Sequence, residues 1–205
     1  MIPANPNGAL ANIWVEMTEA EAVRAVQAGN ADGLTFLVTA YELKAMRVAF
    51  AITGDRLQAE DVVADAFLAV HLKINRFDSS RPFGSWFVRI VVNGALAAAR
   101  KGRTARRVVE LLVRNRPPTE DPMLLAERNE LRRTLIRGIR ALPPDERAAM
   151  SLRYVLDLEE KAAADILGWP LGTLKTRLHR ARVRLRNQIG PELSEYIGQM
   201  APEEA

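Results

Sequence analysis

Residues 157–189, DLEEKAAADILGWPLGTLKTRLHRARVRLRNQI, contain two helical patterns separated by a Gly-Trp-Pro turn. The first pattern is short, and Asp157 followed by Glu160 forms a capping-box pattern at its start. Gly168 suits the left-handed residue that closes a helix. The second pattern runs over Leu171–Ile189. A short helix, a tight turn and a longer basic helix are the spacing of a helix-turn-helix.

The longer helix has an apolar stripe and an opposite polar, basic face. Between residues 169 and 186 there are six Lys or Arg and no Asp or Glu. Steps of three and four place Leu171, Leu174, Leu178, Ala181 and Leu185 on the stripe. The opposite face carries Thr173, Thr176, Arg177, Arg180 and Arg184. Such side chains suit phosphate contacts, and arginine suits bidentate hydrogen bonds to guanine.

Other interpretations of this helix are weaker. A membrane-surface helix needs a bulky apolar face with interfacial aromatics, whereas Ala181 lies on this one. A coiled coil needs flanking charges of both signs, and this helix has no acid between residues 169 and 186. A solvated helix that caps a bundle stays open as an alternative.

The composition is that of a soluble globular protein with an anionic partner. The 205 residues are 48% hydrophobic and 26% charged, with a net charge of +4 and unevenly placed bases. The absence of cysteine excludes disulfides and Cys-ligated zinc and fits a cytoplasmic location. The first fifteen residues include Pro3, Pro6 and three Asn, which argues against a signal peptide or membrane insertion.

Helical spacing extends from about Thr18 to Ile189, and no stretch alternates as a strand would. The sequence therefore predicts an all-α fold of two small helical domains joined by a flexible linker, the second with the helix-turn-helix. The expected divisions are a mobile N-terminal tail at 1–17, a first domain at 18–102, a proline-containing linker at 103–122 and a second domain at 123–198.

One helix of the first domain has two distinct faces. Its core stripe is expected to be Val63, Ala66, Phe67, Val70 and Ile74. A second stripe carries Asp61, Asp65, Leu68 and Leu72. This second stripe is either a solvated face whose leucines meet a neighbouring helix or a docking surface for a basic partner, and the residues alone leave both open.

The next helix follows a loop rich in turn formers and arginine. Its buried stripe is expected to be Phe83, Phe87, Ile90, Gly94 and Ala97, while another face carries Trp86, Arg89, Asn93 and Arg100. The loop contributes Arg76, Phe77, Asp78, Ser79, Ser80 and Arg81. Aromatic rings beside guanidiniums can stack unpaired bases and neutralise phosphates. The alternative is that the aromatics are core and the arginines merely solvated.

The second domain is expected to open with two further helices. The first, Met123–Ala141, would bury Leu124, Leu131, Leu135, Ile139 and, just after it, Leu142. The second, near Asp145–Leu156, would place Ala148, Leu152 and Val155 inward.

Catalytic chemistry is not indicated. His71 and His179 fall in no metal-ligand spacing, and neither a phosphate-binding glycine loop nor a nucleophile motif occurs. The prediction is a protein with no enzyme activity, cofactor or metal.

Two segments resemble a known family. Residues 59–93, AEDVVADAFLAVHLKINRFDSSRPFGSWFVRIVVN, resemble region 2 of the extracytoplasmic-function (ECF) sigma factors. Residues 142–185, LPPDERAAMSLRYVLDLEEKAAADILGWPLGTLKTRLHRARVRL, resemble their region 4. The resemblance implies a promoter-specific subunit that binds core RNA polymerase, through its β′ clamp and β flap, and promoter DNA. It also implies an anti-sigma factor as a further partner.

The resemblance assigns roles to the faces described above. Core-polymerase binding would fall to Asp61, Asp65, Phe67, Leu68 and Leu72. Minus-ten DNA would contact Arg76, Phe77, Asp78, Ser79, Ser80, Arg81, Phe83, Trp86, Arg89, Asn93 and Arg100, with one base flipped out. Minus-thirty-five DNA would contact Gly172, Thr173, Lys175, Thr176, Arg177, His179, Arg180 and Arg184. A stand-alone helix-turn-helix regulator is the competing function.

The sequence departs from the family pattern in the first helix of the helix-turn-helix. Glu159 stands where Ser is common, and Ala163 replaces a large aliphatic residue of that helix.

Overall fold

The structure is a computed structural model that describes residues 17–112 and 136–189, with side chains described over 17–101 and 136–188. The helices of the first part are α1 (Glu19–Gln27), α2 (Ala31–Thr53), α3 (Arg56–Lys73), a 3₁₀ turn (Ile74–Arg76) and α4 (Phe83–Leu112). Those of the second are helical residues 136–141, α5 (Pro144–Met150), a π-helical turn (Ser151–Val155), α6 (Glu160–Leu167) and α7 (Leu171–Ile189). Neither described range contains a strand, and the all-α prediction is confirmed.

Side-chain caps start the first three helices. Thr18 and Glu21 form a reciprocal capping box at α1, in which the Thr18 N–H donates to the Glu21 carboxylate over 2.7 Å. Asn30 and Asp55 accept backbone N–H bonds at the starts of α2 and α3. Each cap satisfies a donor that has no partner within its helix.

Helix α2 is central to the first part because α1, α3 and α4 all pack against it. The predicted core stripe of α3 is confirmed: Val63, Ala66, Val70 and Ile74 are buried, and Phe67 is partly buried against them. Phe87 of α4 is fully buried, with ring centroids 4.7 Å from Phe67 and 5.5 Å from Tyr41. These aromatic contacts join α2, α3 and α4.

The buried face of α4 differs from the predicted stripe. Ala97 is exposed and Ile90 only partly buried, whereas Val91, Val92 and Ala95 are buried. The physical reason is that α4 packs on two sides, against α2 and α3 and also against α5 and α6. The single-face prediction assumed one neighbouring surface.

In the second part the predicted stripe of α7 is confirmed except at its first residue. Leu174, Leu178, Ala181 and Leu185 are buried, whereas Leu171 in the first turn is 42% exposed. The helix expected near Asp145–Leu156 instead changes to a π-helical turn after Met150. Ala148 and Leu152 are fully buried as predicted, and Leu142 is buried too. The changed helical register leaves Val155 42% exposed, contrary to the prediction.

The predicted capping box at α6 is wrong. Glu159 is the residue before the helix, with no side-chain cap, and Asp157 has a φ of 50° and an ion pair with Arg153 at 3.2 Å. Gly168 closes α6 with a φ of 67°, as predicted. Ala163 is fully buried, and α6 packs on α4 and α7, so the small residue does not prevent packing.

Three expected segments lie wholly or partly outside the described residues. Helix α4 continues to Leu112, beyond the linker start expected at residue 103, and the rest of the linker is not described. Of the expected tail only Met17 is described, and it packs against the core. The expected apolar positions Leu124, Leu131 and Leu135 are not described. No helix in 17–112 or 136–189 is long and apolar enough to cross a membrane.

Tyr41 makes the α1–α2 contact pH-dependent. Its hydroxyl donates to the Glu19 carboxylate, and burial, this hydrogen bond and the Glu19 charge together raise the pKa of Tyr41. A raised folded-state pKa gives stability that is complete below about pH 10 and is lost as the pH rises further. We expect the excess unfolding free energy of wild type over Tyr41→Phe to shrink above about pH 10, measured by urea denaturation. A pH-independent difference would contradict this coupling.

Candidate nucleic-acid interface

The helix-turn-helix consists of α6, the turn at Gly168–Pro170 and α7. Along the outer side of α7, the exposed predicted contacts are Gly172, Lys175, Thr176, His179, Arg180 and Arg184, while Thr173 and Arg177 are partly buried. The buried Leu174, Leu178 and Ala181 hold this side outward. Of the polar face predicted from helical spacing, Thr176, Arg180 and Arg184 are therefore exposed, and Thr173 and Arg177 are exposed only in part.

Several of these cations already have acidic neighbours. Lys175 Nζ lies 3.5 Å from Glu160, and Arg184 Nε lies 3.6 Å from the buried Glu146 carboxylate. Arg177 Nη1 lies 2.9 Å from Asp145, and its guanidinium stacks 4.7 Å above the Trp169 ring. Arg180 is exposed and has no ion pair with a residue whose side chain is described. Arg180 is thus the arginine most available to a ligand on this face.

The loop before α4 is organised by Asp78. Its carboxylate accepts hydrogen bonds from the Ser80 hydroxyl at 2.7 Å and the Ser80 N–H at 3.0 Å, and Arg81 lies 3.3 Å away. The hydrogen bond from the Ser80 hydroxyl and, to a smaller extent, the one from the Ser80 N–H lower the pKa of Asp78 below its usual value. Burial acts in the opposite direction, but its effect is smaller. These hydrogen bonds favour the charged carboxylate and hold a tight turn in which Ser79 and Arg81 are exposed.

Two aromatic residues of the predicted minus-ten DNA-binding set are buried. Phe77 is 8% and Phe83 2% exposed, and both rings pack in the core, the Phe77 centroid 4.9 Å from that of Trp86. Neighbouring aromatic rings cover Phe77 and Phe83, as the alternative of core aromatics predicted, so neither ring is exposed for base stacking in this structure. Trp86 is partly buried. The exposed members of the predicted set here are Arg76, Asp78, Ser79, Ser80, Arg81, Arg89, Asn93 and Arg100.

The acidic stripe of α3 borders a groove between α3 and α4. Leu68 and Leu72 are 54% and 69% exposed, and Asp61 and Asp65 are exposed beside the groove. The groove is lined by Gln58, Asp61, Val62, Asp65, Ala66, Ile90, Gly94, Ala97, Ala98 and Lys101. A Cβ on Gly94 would lie 3.2 Å from Val62 Cγ1, so glycine lets the helices approach closely.

Sequence reasoning missed three residues that the structure brings to these surfaces. Leu57 is 72% exposed and lies one turn before Asp61, so the same spacing rule extends the stripe to it. Trp169 supports the Arg177 guanidinium. Asp145 contacts arginines from both halves of the chain, which no local pattern signals.

The described part of the chain contains no candidate metal site. Within residues 17–112 and 136–189 no group of three or more His, Asp or Glu is placed to hold a metal ion. His71 and His179 are both exposed and lie on different helices, α3 and α7.

Family models match both halves in chain order. Residues 37–105 match sigma-70 region 2, and residues 132–185 match sigma-70 region 4. The chain is 28% identical to the ECF RNA polymerase sigma factor SigW of Bacillus subtilis, over 85% of this chain and 98% of that protein. It is 30% identical to the ECF RNA polymerase sigma-E factor of Haemophilus influenzae, over 86% of this chain and 97% of that protein.

A solved structure shares the fold. The sigma factor RpoE in complex with the anti-sigma factor NepR, from Bartonella quintana, matches with a TM-score of 0.55 and 22% identity, over 74% of this chain and 95% of that one. The two matched regions define a sigma-70 type transcription protein. Within that class, the chain belongs to the ECF sigma factor family.

Proposed function

We propose that this chain is an alternative sigma factor that binds core RNA polymerase, reads the minus-thirty-five and minus-ten promoter elements and promotes melting at the second. The domain assignment proposed with it is region 2 at 18–102, a linker at 103–122 and region 4 at 123–198. One observation carries the proposal: a helix-turn-helix with an exposed basic face shares a chain with the exposed acidic and apolar stripe of α3.

The polymerase contact is assigned to the α3 stripe and its groove. Exposed leucines next to carboxylates suit a partner surface that is apolar in its centre and basic around it. Asp61, Asp65, Leu68 and Leu72 supply that chemistry, and Leu57 extends it by a turn. Phe67 is partly buried in the core, so its contribution is to hold α3 in place.

Minus-thirty-five recognition is assigned to the first half of α7. Its N-terminal turns expose Lys175, Thr176, His179 and Arg180, which can donate to phosphates and to base edges in a major groove. A Cβ added at Gly172 would meet no atom within 4 Å, so there is open space at the helix entry. Arg184 lies farther along α7, where phosphate contact is expected.

Minus-ten recognition is assigned to the Asp78 loop and the exposed polar face of α4. Flipping one base out of a duplex costs a few kcal/mol, which contacts to the displaced base and its backbone must offset. With Phe77 and Phe83 in the core, the exposed groups that remain are the loop arginines, the Ser79–Ser80 turn and Asn93, with Trp86 partly exposed. Hydrogen bonds and charge therefore carry more of this capture than aromatic stacking.

The competing function is a stand-alone helix-turn-helix regulator of duplex DNA. It would use α7 in the same way but would need neither the α3 stripe nor the organised Asp78 loop. We propose instead a non-enzymatic initiation factor that acts in the cytoplasm and is controlled by an anti-sigma factor. Such a factor would use the α3 stripe, the Asp78 loop and the basic face of α7.

Run-off transcription with purified core polymerase tests this function. The chain should direct specific initiation from at least one promoter of its source genome, and core polymerase alone should not. If no promoter supports specific initiation while the chain still binds duplex DNA, the regulator is the better description.

Arg180 provides the sharpest residue-level test of promoter reading. Because it is exposed and lacks a described ion-pair partner, Arg180→Ala should weaken holoenzyme binding to the cognate element by about 1–3 kcal/mol and reduce discrimination against a mutated element. Competition binding to cognate and mutated promoters measures both quantities.

Arg186 is the matched control for that test, because it is an exposed arginine farther along the same helix. Arg186→Ala should weaken binding to both promoters about equally, as loss of a phosphate contact does. Equal loss of discrimination in the two variants would remove Arg180 from base recognition.

A further inference from the structure

Helix α1 lies beside the loop that carries the proposed minus-ten contacts. This loop runs from the 3₁₀ turn at Ile74–Arg76 to the start of α4 at Phe83. Besides α2, α1 packs against this 3₁₀ turn and against α4. Its buried residues belong to the same hydrophobic cluster as Ile74 and Phe77. A helix that carries none of the predicted DNA contacts therefore borders the loop.

A side-chain hydrogen bond from α1 holds the start of the loop. Gln27 Nε2 donates to the Ile74 carbonyl oxygen over 3.1 Å, although 47 residues separate the two in the chain. Ile74 is buried and Gln27 is partly buried, so the bond is partly shielded from water. The same carbonyl oxygen also accepts the Phe77 N–H at 3.0 Å. Because a carbonyl oxygen has two lone pairs, these two bonds fix the direction in which the chain leaves α3.

Tyr41 of α2 holds the other end of the loop. Its ring lies edge-on to Phe83, with 5.5 Å between the ring centroids. A Cβ added to Gly84 would lie only 2.8 Å from the Tyr41 hydroxyl oxygen, so glycine lets the first turn of α4 lie against the tyrosine. The same hydroxyl donates to the carboxylate of Glu19, in the first turn of α1. Helix α1 is thus connected to the start of α4 through Tyr41.

Between these two anchors the loop buries its aromatic ring and exposes its polar groups. The Phe77 ring centroid lies 5.8 Å from that of Phe83 and 4.9 Å from that of Trp86. The exposed residues that follow it are Asp78, Ser79, Ser80 and Arg81. The hydrogen bonds of Asp78 close this polar turn, but they join it only to itself. Its position relative to α4 therefore depends on the anchors at the two ends.

The position of the loop matters because capture of a flipped base depends on where the donors lie. Contacts to the displaced strand must offset the cost of unstacking the base. A loop that is already held in one conformation loses little backbone entropy on binding, so more of its interaction free energy remains for capture. Residues that hold the loop ends can therefore affect promoter melting without contacting DNA.

We propose that α1 supports the minus-ten loop and that Gln27 is a positioning residue for capture of the displaced strand. Tyr41 is a second positioning residue, which acts through Phe83 and Gly84. Neither Gln27 nor Tyr41 belongs to the predicted DNA contacts, and each acts by holding one end of the loop. This inference rests on the proposed function for the identity of the ligand, a single-stranded minus-ten element.

Amide hydrogen exchange of the full chain tests the anchor at the start of the loop. Gln27→Met keeps the length of the side chain but removes the N–H donor. Exchange in peptides covering residues 74–83 should become roughly three- to ten-fold faster, since loss of one partly buried hydrogen bond makes local opening easier by about that factor. Circular dichroism should show the same helical content as in wild type.

DNA binding by the complex with core polymerase tests whether this anchor serves capture. The probes are a single-stranded oligonucleotide with the minus-ten element of a promoter that the chain transcribes, and a duplex with its minus-thirty-five element. Gln27→Met should weaken binding of the single strand roughly three- to ten-fold and leave binding of the duplex near wild type. A general loss of stability would not separate the two elements in this way.

Thr53→Val is the matched control. The Thr53 hydroxyl donates to the Ala49 carbonyl oxygen over 2.9 Å in a partly buried hydrogen bond, and valine keeps the shape of the side chain. Thr53 precedes α3, whereas the minus-ten loop follows α3. This variant should keep the wild-type exchange rate in residues 74–83 and the wild-type affinity for both probes.

A double variant tests the anchor at the end of the loop. Gly84→Ala places a Cβ against the Tyr41 hydroxyl and should weaken binding of the single strand. Adding Tyr41→Phe removes the nearest clashing atom, so the double variant should bind the single strand more tightly than Gly84→Ala alone. If the second substitution restores nothing, Tyr41 does not position the start of α4.

These results separate the inference from the proposed function. Wild-type exchange in Gln27→Met, or equal loss of binding to both probes, would overturn the positioning role while specific transcription by the wild-type chain kept the sigma function. Absence of specific transcription by the wild-type chain would remove the sigma function, and the capture role with it, without reference to any variant. Faster exchange together with selective loss of minus-ten binding is the result expected if α1 supports the loop.

Discussion

Replacing Phe87 with alanine is expected to lower the free energy of unfolding by about 3–5 kcal/mol. Phe87 is fully buried, and its ring lies within 6 Å, centroid to centroid, of the Tyr41, Phe67 and Phe83 rings. Truncation removes the transfer free energy of the ring and leaves a cavity where α2, α3 and α4 meet. Since native domains are stable by only about 5–15 kcal/mol, much of the first half's stability depends on this side chain.

Phe36 provides the comparison for that measurement. It is a phenylalanine on α2 that is only partly buried against the core. In urea denaturation monitored by circular dichroism, Phe36→Ala should cost clearly less than Phe87→Ala. Similar losses in the two variants would mean that the aromatic cluster around Phe87 contributes no more than ordinary burial.

The parts of the fold that sequence predicted are those set by local periodicity. The α3 core stripe, the α7 stripe from Leu174 to Leu185 and the Gly168 turn all depend on residues within a few turns of each other. The buried face of α4 was harder to predict, because α4 has neighbouring helices on two sides and buries residues against both. The prediction that Val155 is buried was wrong for a local reason, because the π-helical turn after Met150 changes the helical register.

The candidate site shows the same division. The exposed carboxylates of α3 and the basic face of α7 follow from helical spacing, because each lies opposite a buried stripe. Helical spacing predicted that Phe83 is buried, whereas Phe77 was ambiguous between stacking and burial until the neighbouring rings were placed around it. No sequence pattern indicated the two arginine contacts of Asp145, because these partners lie 45 residues before it and 32 residues after it in the chain.

Reversing the charge of Asp61 is expected to have the largest effect on the proposed polymerase contact. Asp61 is exposed at the edge of the α3–α4 groove, so Asp61→Lys changes little inside the fold but places a cation against a basic partner surface. Loss of a close interfacial charge pair costs about 2 kcal/mol or more, which is roughly thirty-fold in the dissociation constant. Fluorescence anisotropy of the labelled chain titrated with core polymerase measures the change.

Glu42→Lys separates this local effect from a general change in net charge. Glu42 is an exposed acid on α2, outside the groove, and its reversal alters the net charge by the same amount. Polymerase affinity should stay near wild type for Glu42→Lys and fall for Asp61→Lys, with the helical content unchanged in both. If the two variants weaken binding equally, the carboxylates act through long-range attraction, and the α3 stripe is not the docking surface. If neither variant weakens binding, Asp61 lies outside the interface, and the polymerase contact must use another face of region 2.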